Sequence, residues 1–233
     1  MFRLKKFKIA DNGINNSFVC KTKLDRKNNI SFDGNDNHII LGKNFPQKRI
    51  SVVIKGNNNQ ITIGDNFENR GHVVIHIVGN NNKIEIGNNV RVITSLRIFN
   101  LQQCNGGYIK ISDNCAFYDS EFHLYDNHSS IEIGEDCIFA YNAVIHATDG
   151  HAIFQNQKLI NKAEKCVIGN HVWIGRNALI LKNSIIPDGC IVAANTTICK
   201  KYNIKNAILT NNGIVKTNIC WDRCTINEVL NEK

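Results

Sequence analysis

Eight histidines and nine cysteines hold most of the chemistry available to this chain of 233 residues. Histidine changes charge near neutral pH, so it can take a proton from a hydroxyl as the oxygen attacks and hand it on afterwards. His146 and His151 stand five residues apart at the start of a polar stretch, Ala147 to Lys165, with Asp149 between them. His151 is the candidate general base, and Asp149 or a backbone carbonyl is the candidate that orients its ring. His146, at the end of the strand-like Ala143-Val-Ile-His, is the rival base. His171 precedes Val-Trp-Ile-Gly in a regular stretch and reads as a turn residue. Cysteine suggests a covalent route, yet none lies in the stretch that carries His151. Cys115, Cys137, Cys166 and Cys190 fall in apolar slots, where a thiol acts as a small core side chain. The odd count and the absence of any Cys-x-x-Cys pair argue against a disulfide framework and a structural zinc site.

Something rigid must position these residues, and the chain advertises it by repetition. Gly34-Asn-Asp-Asn-His-Ile-Ile-Leu-Gly-Lys-Asn-Phe45, Gly56-Asn-Asn-Asn-Gln-Ile-Thr-Ile-Gly-Asp-Asn-Phe67 and Gly79-Asn-Asn-Asn-Lys-Ile-Glu-Ile-Gly-Asn-Asn-Val90 are near copies. The pattern continues in Gly107 to Cys115, Ser130 to Cys137 and Cys166 to Ile174. Apolar residues two apart, such as Ile61/Ile63 and Ile84/Ile86, predict short strands, and Gly-x-Asn predicts turns that accept positive φ. Each unit is then one coil of a β-solenoid whose isoleucines stack on those of the next. The second isoleucine of successive units lies at 63, 86, 111, 133 and 168, spaced by 23, 25, 22 and 35. The long interval predicts a loop pushed out of the stack at about 147–165, the stretch that carries His151.

Beyond it the spacing tightens to six residues, with anchors at Val167, Trp173, Leu179, Ile185, Ile191 and Thr197. Residues 131–200 resemble the hexapeptide-repeat acyltransferase superfamily. Val167-Ile-Gly-Asn-His-Val-Trp-Ile-Gly-Arg-Asn-Ala-Leu-Ile-Leu-Lys182 is similar to the segment shared by its maltose, serine and polysaccharide O-acetyltransferases. The resemblance, and it alone, implies a left-handed parallel β-helix, against the usual right-handed crossover. In the polysaccharide and sialate O-acetyltransferases a histidine preceded by an acidic residue sits about one coil before the Trp-Ile-Gly, and His151 matches it. The resemblance implies direct transfer of an acetyl group from acetyl-CoA to a sugar hydroxyl of a bacterial surface polysaccharide, capsule or O-antigen, with His151 as base. Trp173 is then either the aromatic residue shaping the tunnel where thioester and hydroxyl meet, or a core residue. Gly175, Lys182, Ala194, Lys200 and Lys201 become candidates for holding coenzyme A, with Lys200 or Lys201 near its 3′-phosphate. Ala193 and Asn195 depart from the family's glycines, and Asn211-Asn-Gly-Ile-Val-Lys216 departs from its Asn-Pro-Ala-Lys-Val-Ile. The family forms trimers with active sites shared between subunits, so a homotrimer is expected here.

Two rivals stand beside this. The γ-type carbonic anhydrases place two zinc ligands five residues apart on the same fold, as His146 and His151 stand here, with His123 the candidate third ligand. A non-catalytic solenoid binding acidic glycan has no use for the inserted loop. The transferase needs no metal. Lys and Arg exceed Asp and Glu, 28 to 20, and a net charge of +8 favours an anionic partner. Apart from Lys5-Lys6 the basic residues are scattered, which argues against nucleic acid. An acidic glycan suits the charge, and the long Asn-rich N-terminal part offers a large acceptor a surface to lie along. No signal peptide and no apolar run long enough to span a membrane are visible, so the expected place is the cytoplasm, with the inner face of the membrane left open. The expected organisation is a capping segment at 1–30, the β-helix at 31–202, and a C-terminal coil and tail at 203–233.

Overall fold

The computed structural model describes residues 9–22, 24, 28–46, 49–100 and 103–231. Lys5-Lys6 and much of the expected capping segment lie outside the described residues. The described chain is a parallel β-helix, the expected left-handed solenoid, with one pushed-out loop and a short C-terminal helix, Ile226–Asn231.

One face is a sheet of eight parallel strands, from Ser17–Cys20 through His38–Leu41, Gln60–Ile63, Lys83–Ile86, Tyr108–Ile111, Ser130–Ile133 and Lys165–Ile168 to Ile185–Ile186. Ile63, Ile86, Ile111, Ile133 and Ile168 stand in register across it, as the repeat spacing predicts. Each of these is at most 3% exposed, because alternation sends every second side chain inward and the solenoid has one continuous core. The coils narrow along the stack: His38 pairs with Gln60, 22 residues on, whereas Val167 pairs with Ile185, 18 residues on. Wide coils close with one long strand, such as Arg91–Asn100 or Ala116–Leu124. The narrow ones use two, such as Trp173–Ile174 and Leu179–Leu181, giving three hexapeptides per turn.

Asparagine makes the corners. Asn44, Asn66, Asn89 and Asn114, followed by Asp136 and His171, occupy one corner column at φ between 52° and 63°. That left-handed region is one that Asn, Asp and His enter more readily than most side chains. A second column is buried: Asn59 is 0% exposed, its Nδ2 donating to Asn37 Oδ1 and to Gly79 O, both at 2.9 Å. Its Oδ1 accepts from Asn82 Nδ2 at 2.9 Å and from Asn82 N at 3.0 Å. The amides satisfy one another, which a buried polar side chain requires. At Gly56, φ is +132° and an added Cβ would lie 2.0 Å from Gly79 O, so close stacking of coils excludes a side chain there.

Stacking begins earlier than residue 31: Ile9–Asp11 pairs in register with Ile30–Phe32 and Ser17–Cys20 with His38–Leu41. The residues assigned to a cap therefore include strands of the helix itself. At the other end Gly213–Lys216 turns back antiparallel on Ile208–Thr210 and closes that sheet edge.

Candidate active site

The chain leaves the stack after Ala143–His146, passes the buried Ala147 and Thr148, and re-enters at Lys165–Ile168. Between them Phe154–Gln155 and Lys158–Leu159 form an antiparallel hairpin. Its two turn residues, Asn156 and Gln157, both have positive φ, as the twist of a two-residue hairpin requires. One side chain knots the base of the loop. Asn161 Nδ2 donates to Asp149 Oδ2 at 2.8 Å and to His151 O at 2.7 Å, while its Oδ1 accepts from Ile153 N at 2.8 Å.

Lys182, on the next coil, clamps that knot. Its Nζ lies 2.7 Å from Asp149 Oδ2 and donates to Lys162 O at 3.1 Å. Burial pushes the Asp149 carboxyl up, but the hydrogen bonds from Lys182 and Asn161 outweigh it and hold the group below its ordinary value. Asp149 is thus an anion engaged by Lys182 and Asn161. It fixes the backbone of His151 through Asn161 rather than holding the imidazole, and no hydrogen bond joins the two side chains among the described residues. Lys182, expected beside coenzyme A, has its ammonium committed to the loop and its side chain only 16% exposed. A cleft of about 450 Å³ opens between loop and coils, lined by Asp149, Leu159, Ile160, Lys182 and Cys199 among others.

His151 itself is exposed on the loop. Trp173 is 41% exposed on the neighbouring face of the next coil, paired in register with Ile138 and Ile191. It belongs to the surface rather than the core, and within one chain it makes no ring contact with His151 among the described residues. Gly175 is buried, and a Cβ there would meet Val192 O at 2.6 Å and Ala194 N at 2.7 Å, so coil stacking alone demands glycine. Ala194, Lys200 and Lys201 are exposed near that end, with Lys200 Nζ 5.2 Å from the centroid of the Tyr202 ring.

The three histidines of the zinc alternative do not meet as ligands. The His123 and His146 rings pack edge to face at 5.0 Å, one coil apart in register. His123 is engaged by Tyr125 OH at 2.7 Å and Glu121 Oε2 at 3.1 Å. Burial pulls its imidazole below the ordinary value, against the opposing pull of Glu121. Among the described residues no three His, Cys, Asp or Glu side chains converge as a metal site.

One constellation was not anticipated. The tail returns to the solenoid at Trp221 and Arg223, beside Trp173. His171 keeps the turn role expected of it, with φ of 52°, and its ring also stacks on Trp221 at 4.0 Å and 9°. Two successive substitutions in the asparagine corner column, Asp136 and His171, were the visible sign that something docks there.

Known proteins resemble this chain in both sequence and fold. Residues 165–200 match the family model described as Bacterial transferase hexapeptide (six repeats). The polysialic acid O-acetyltransferase of Neisseria meningitidis is 30% identical over 176 residues, 74% of this chain and 69% of that protein. The polysialic acid O-acetyltransferase of Escherichia coli O1:K1 / APEC is 30% identical over 114 residues, 48% of this chain. That match spans only 37% of the E. coli protein. Among solved structures, the polysialic acid O-acetyltransferase OatWY superposes with a TM-score of 0.63 at 27% identity, covering 97% of this chain and 99% of that one.

Proposed function

The chain belongs to the hexapeptide-repeat acyltransferases, among the relatives of the polysialic acid O-acetyltransferases, and from that membership we propose that it transfers an acetyl group from acetyl-CoA to a sugar hydroxyl of a bacterial capsular polysaccharide. The observation that carries this reading is the histidine-bearing loop knotted onto the coil interval that stretches to 35 residues, in a solenoid superposing over almost its whole length on such an enzyme.

In the proposed reaction His151 takes the proton of the sugar hydroxyl, whose oxygen attacks the acetyl carbonyl carbon. Backbone N–H groups stabilise the oxyanion, the carbon–sulfur bond breaks, and the proton passes to the departing thiolate of coenzyme A. A hydroxyl is too weak an acid to attack well unaided, which gives the imidazole its task. Trp173 walls the space where thioester and hydroxyl meet, Ala194 borders the coenzyme's path, and Lys200 and Lys201 offer cations to its phosphates. Asp149 and Lys182 hold the loop rather than the ligands.

His151 and Trp173 do not touch within one chain, which fits sites completed between subunits of a homotrimer. The hairpin supports that assembly, since Ile153, Phe154 and Ile160 are 49%, 64% and 53% exposed with no apolar cover. The net charge of +8 suits an acidic acceptor such as a sialic or uronic polymer. No helix among the described residues is long and apolar enough to cross a membrane. We place the enzyme in the cytoplasm, where acetyl-CoA is available to it.

The test is coenzyme A release from acetyl-CoA with a panel of capsular and O-antigen glycans, comparing wild type with His151→Ala. Glycan-dependent release that falls at least about 100-fold in the variant supports the reading. Equal release by both proteins removes His151 from the mechanism, and no release with any glycan removes the transfer itself.

A further inference from the structure

The tail segment at Trp221 and Arg223 is fastened across three successive coils. Asn114, Asp136 and His171 are consecutive members of one corner column, each amide bonded to the coil before it. Arg223 donates through Nη2 to Asn114 O at 3.0 Å and through Nε to Asp136 Oδ1 at 2.8 Å. The other oxygen of Asp136, Oδ2, lies 2.6 Å from His171 Nδ1. His171 Nε2 faces Trp221 O at 2.9 Å, and Trp221 Nε1 donates back to His171 O at 3.0 Å. Burial pushes the Asp136 carboxyl up, but the bonds from His171 and Arg223 outweigh it and hold the group below its ordinary value. Ile219 N donates to Asn206 O at 3.0 Å and ties in the same segment from below.

The clasp delivers an indole to Trp173. The two rings stand 6.0 Å apart, tilted by 49°, and they are the chain's two tryptophans. Trp173 lies two residues past His171 and is 41% exposed, on a strand two residues long. Ile138 and Ile191 flank Trp173 on the adjoining coils, and the second indole adds a ring contact that narrows its choice of rotamer.

We propose that Trp221 is a positioning residue for Trp173, and that Asp136, His171 and Arg223 form the clasp that delivers it, so that the C-terminal tail completes the acceptor wall of the transferase site. This rests on the reading of Trp173 given above. The tail does no chemistry; it restricts where the Trp173 ring lies when a sugar ring packs on it. A misplaced wall misaligns hydroxyl and thioester, and geometry of that kind sets the rate of a transfer between two bound molecules.

The experiment has a structural arm and a kinetic arm. Trp221→Phe leaves Trp173 as the sole tryptophan while keeping a ring on His171. In that background Arg223→Ala is expected to shift the Trp173 emission to the red and to raise its quenching by acrylamide. In the kinetic arm Trp221→Ala is expected to lower kcat or raise the acceptor KM by roughly ten-fold, with the KM for acetyl-CoA unchanged and Trp221→Phe close to wild type. Unchanged emission on releasing the clasp overturns the proposal, as do wild-type kinetics in Trp221→Ala. If wild type transfers nothing to any glycan, the transferase reading fails by itself, and the emission arm still decides whether the tail holds Trp173.

Discussion

A single carboxylate shows how the loop is fixed and what would loosen it. Asp149 lies 33 residues before Lys182, yet stacking puts the two in contact at 2.7 Å, with Asn161 sharing the same carboxylate oxygen. Because the folded carboxyl is held below its ordinary value, its contribution is complete above that value and is lost as pH falls through the folded one. Amides of residues 150–161 should therefore lose protection from hydrogen exchange below about pH 4, before the coils do. Lys182→Met should show the same loss at neutral pH, and equal protection in both proteins would mean that the ion pair does not hold the loop. The loop that carries His151 was legible from the interval, whereas the base role proposed for His151 comes from the family resemblance. The task of Asp149 was not, because proximity in sequence to His151 suggested a partnership that Lys182 and Asn161 take instead. Gly175 was selected as a place for a ligand to approach, whereas Val192 and Ala194 already fill the space a side chain would need.

Strands and turns obey a simpler logic, and more of it could be read. The isoleucine spacing gave the register of five of the eight strands of one sheet, because inward residues on successive coils must coincide for the core to close. The fusion of two faces into one strand, as in Arg91–Asn100, left no comparable mark, since the repeat motif anchors only the face that carries Gly-x-Asn. Nor did the composition reveal that asparagine plays two parts, turning corners outside and bonding in a column inside. Asn59→Ala removes four hydrogen bonds from that buried column and takes their partner from Asn82 N and Gly79 O, while Asn82 Nδ2 keeps its bond to Cys104 O. The expected cost is about 3 kcal/mol, read as a lower midpoint in urea, with acetyl transfer by the folded fraction unchanged. A cost below about 0.5 kcal/mol would mean that water replaces the column without loss.

For the molecule as a whole, the solenoid was legible while the docking place of its tail was not. Trp221 meets His171 across 50 residues of chain, and only the break in the asparagine corner column at Asp136 and His171 marks the place. Assembly belongs to this scale as well. The proposed trimer needs cover for the apolar hairpin, so Phe154→Asp should sediment as a smaller species than wild type and lose transfer in proportion. A variant that keeps wild-type mass and activity would exclude the hairpin from the interface. The narrowing of the coils, from 22 residues to 18, has a consequence for how such a chain can change over generations. Each wide coil offers its neighbour the same asparagine corners and the same row of isoleucines, so a duplicated stretch of the gene encoding one turn inserts a rung and leaves both its neighbours with familiar surfaces. The narrow coils carry Lys182 and Trp173, which a copied wide coil would not supply. Coils can therefore be gained or lost in the shaft while the rungs that carry the proposed site keep their form.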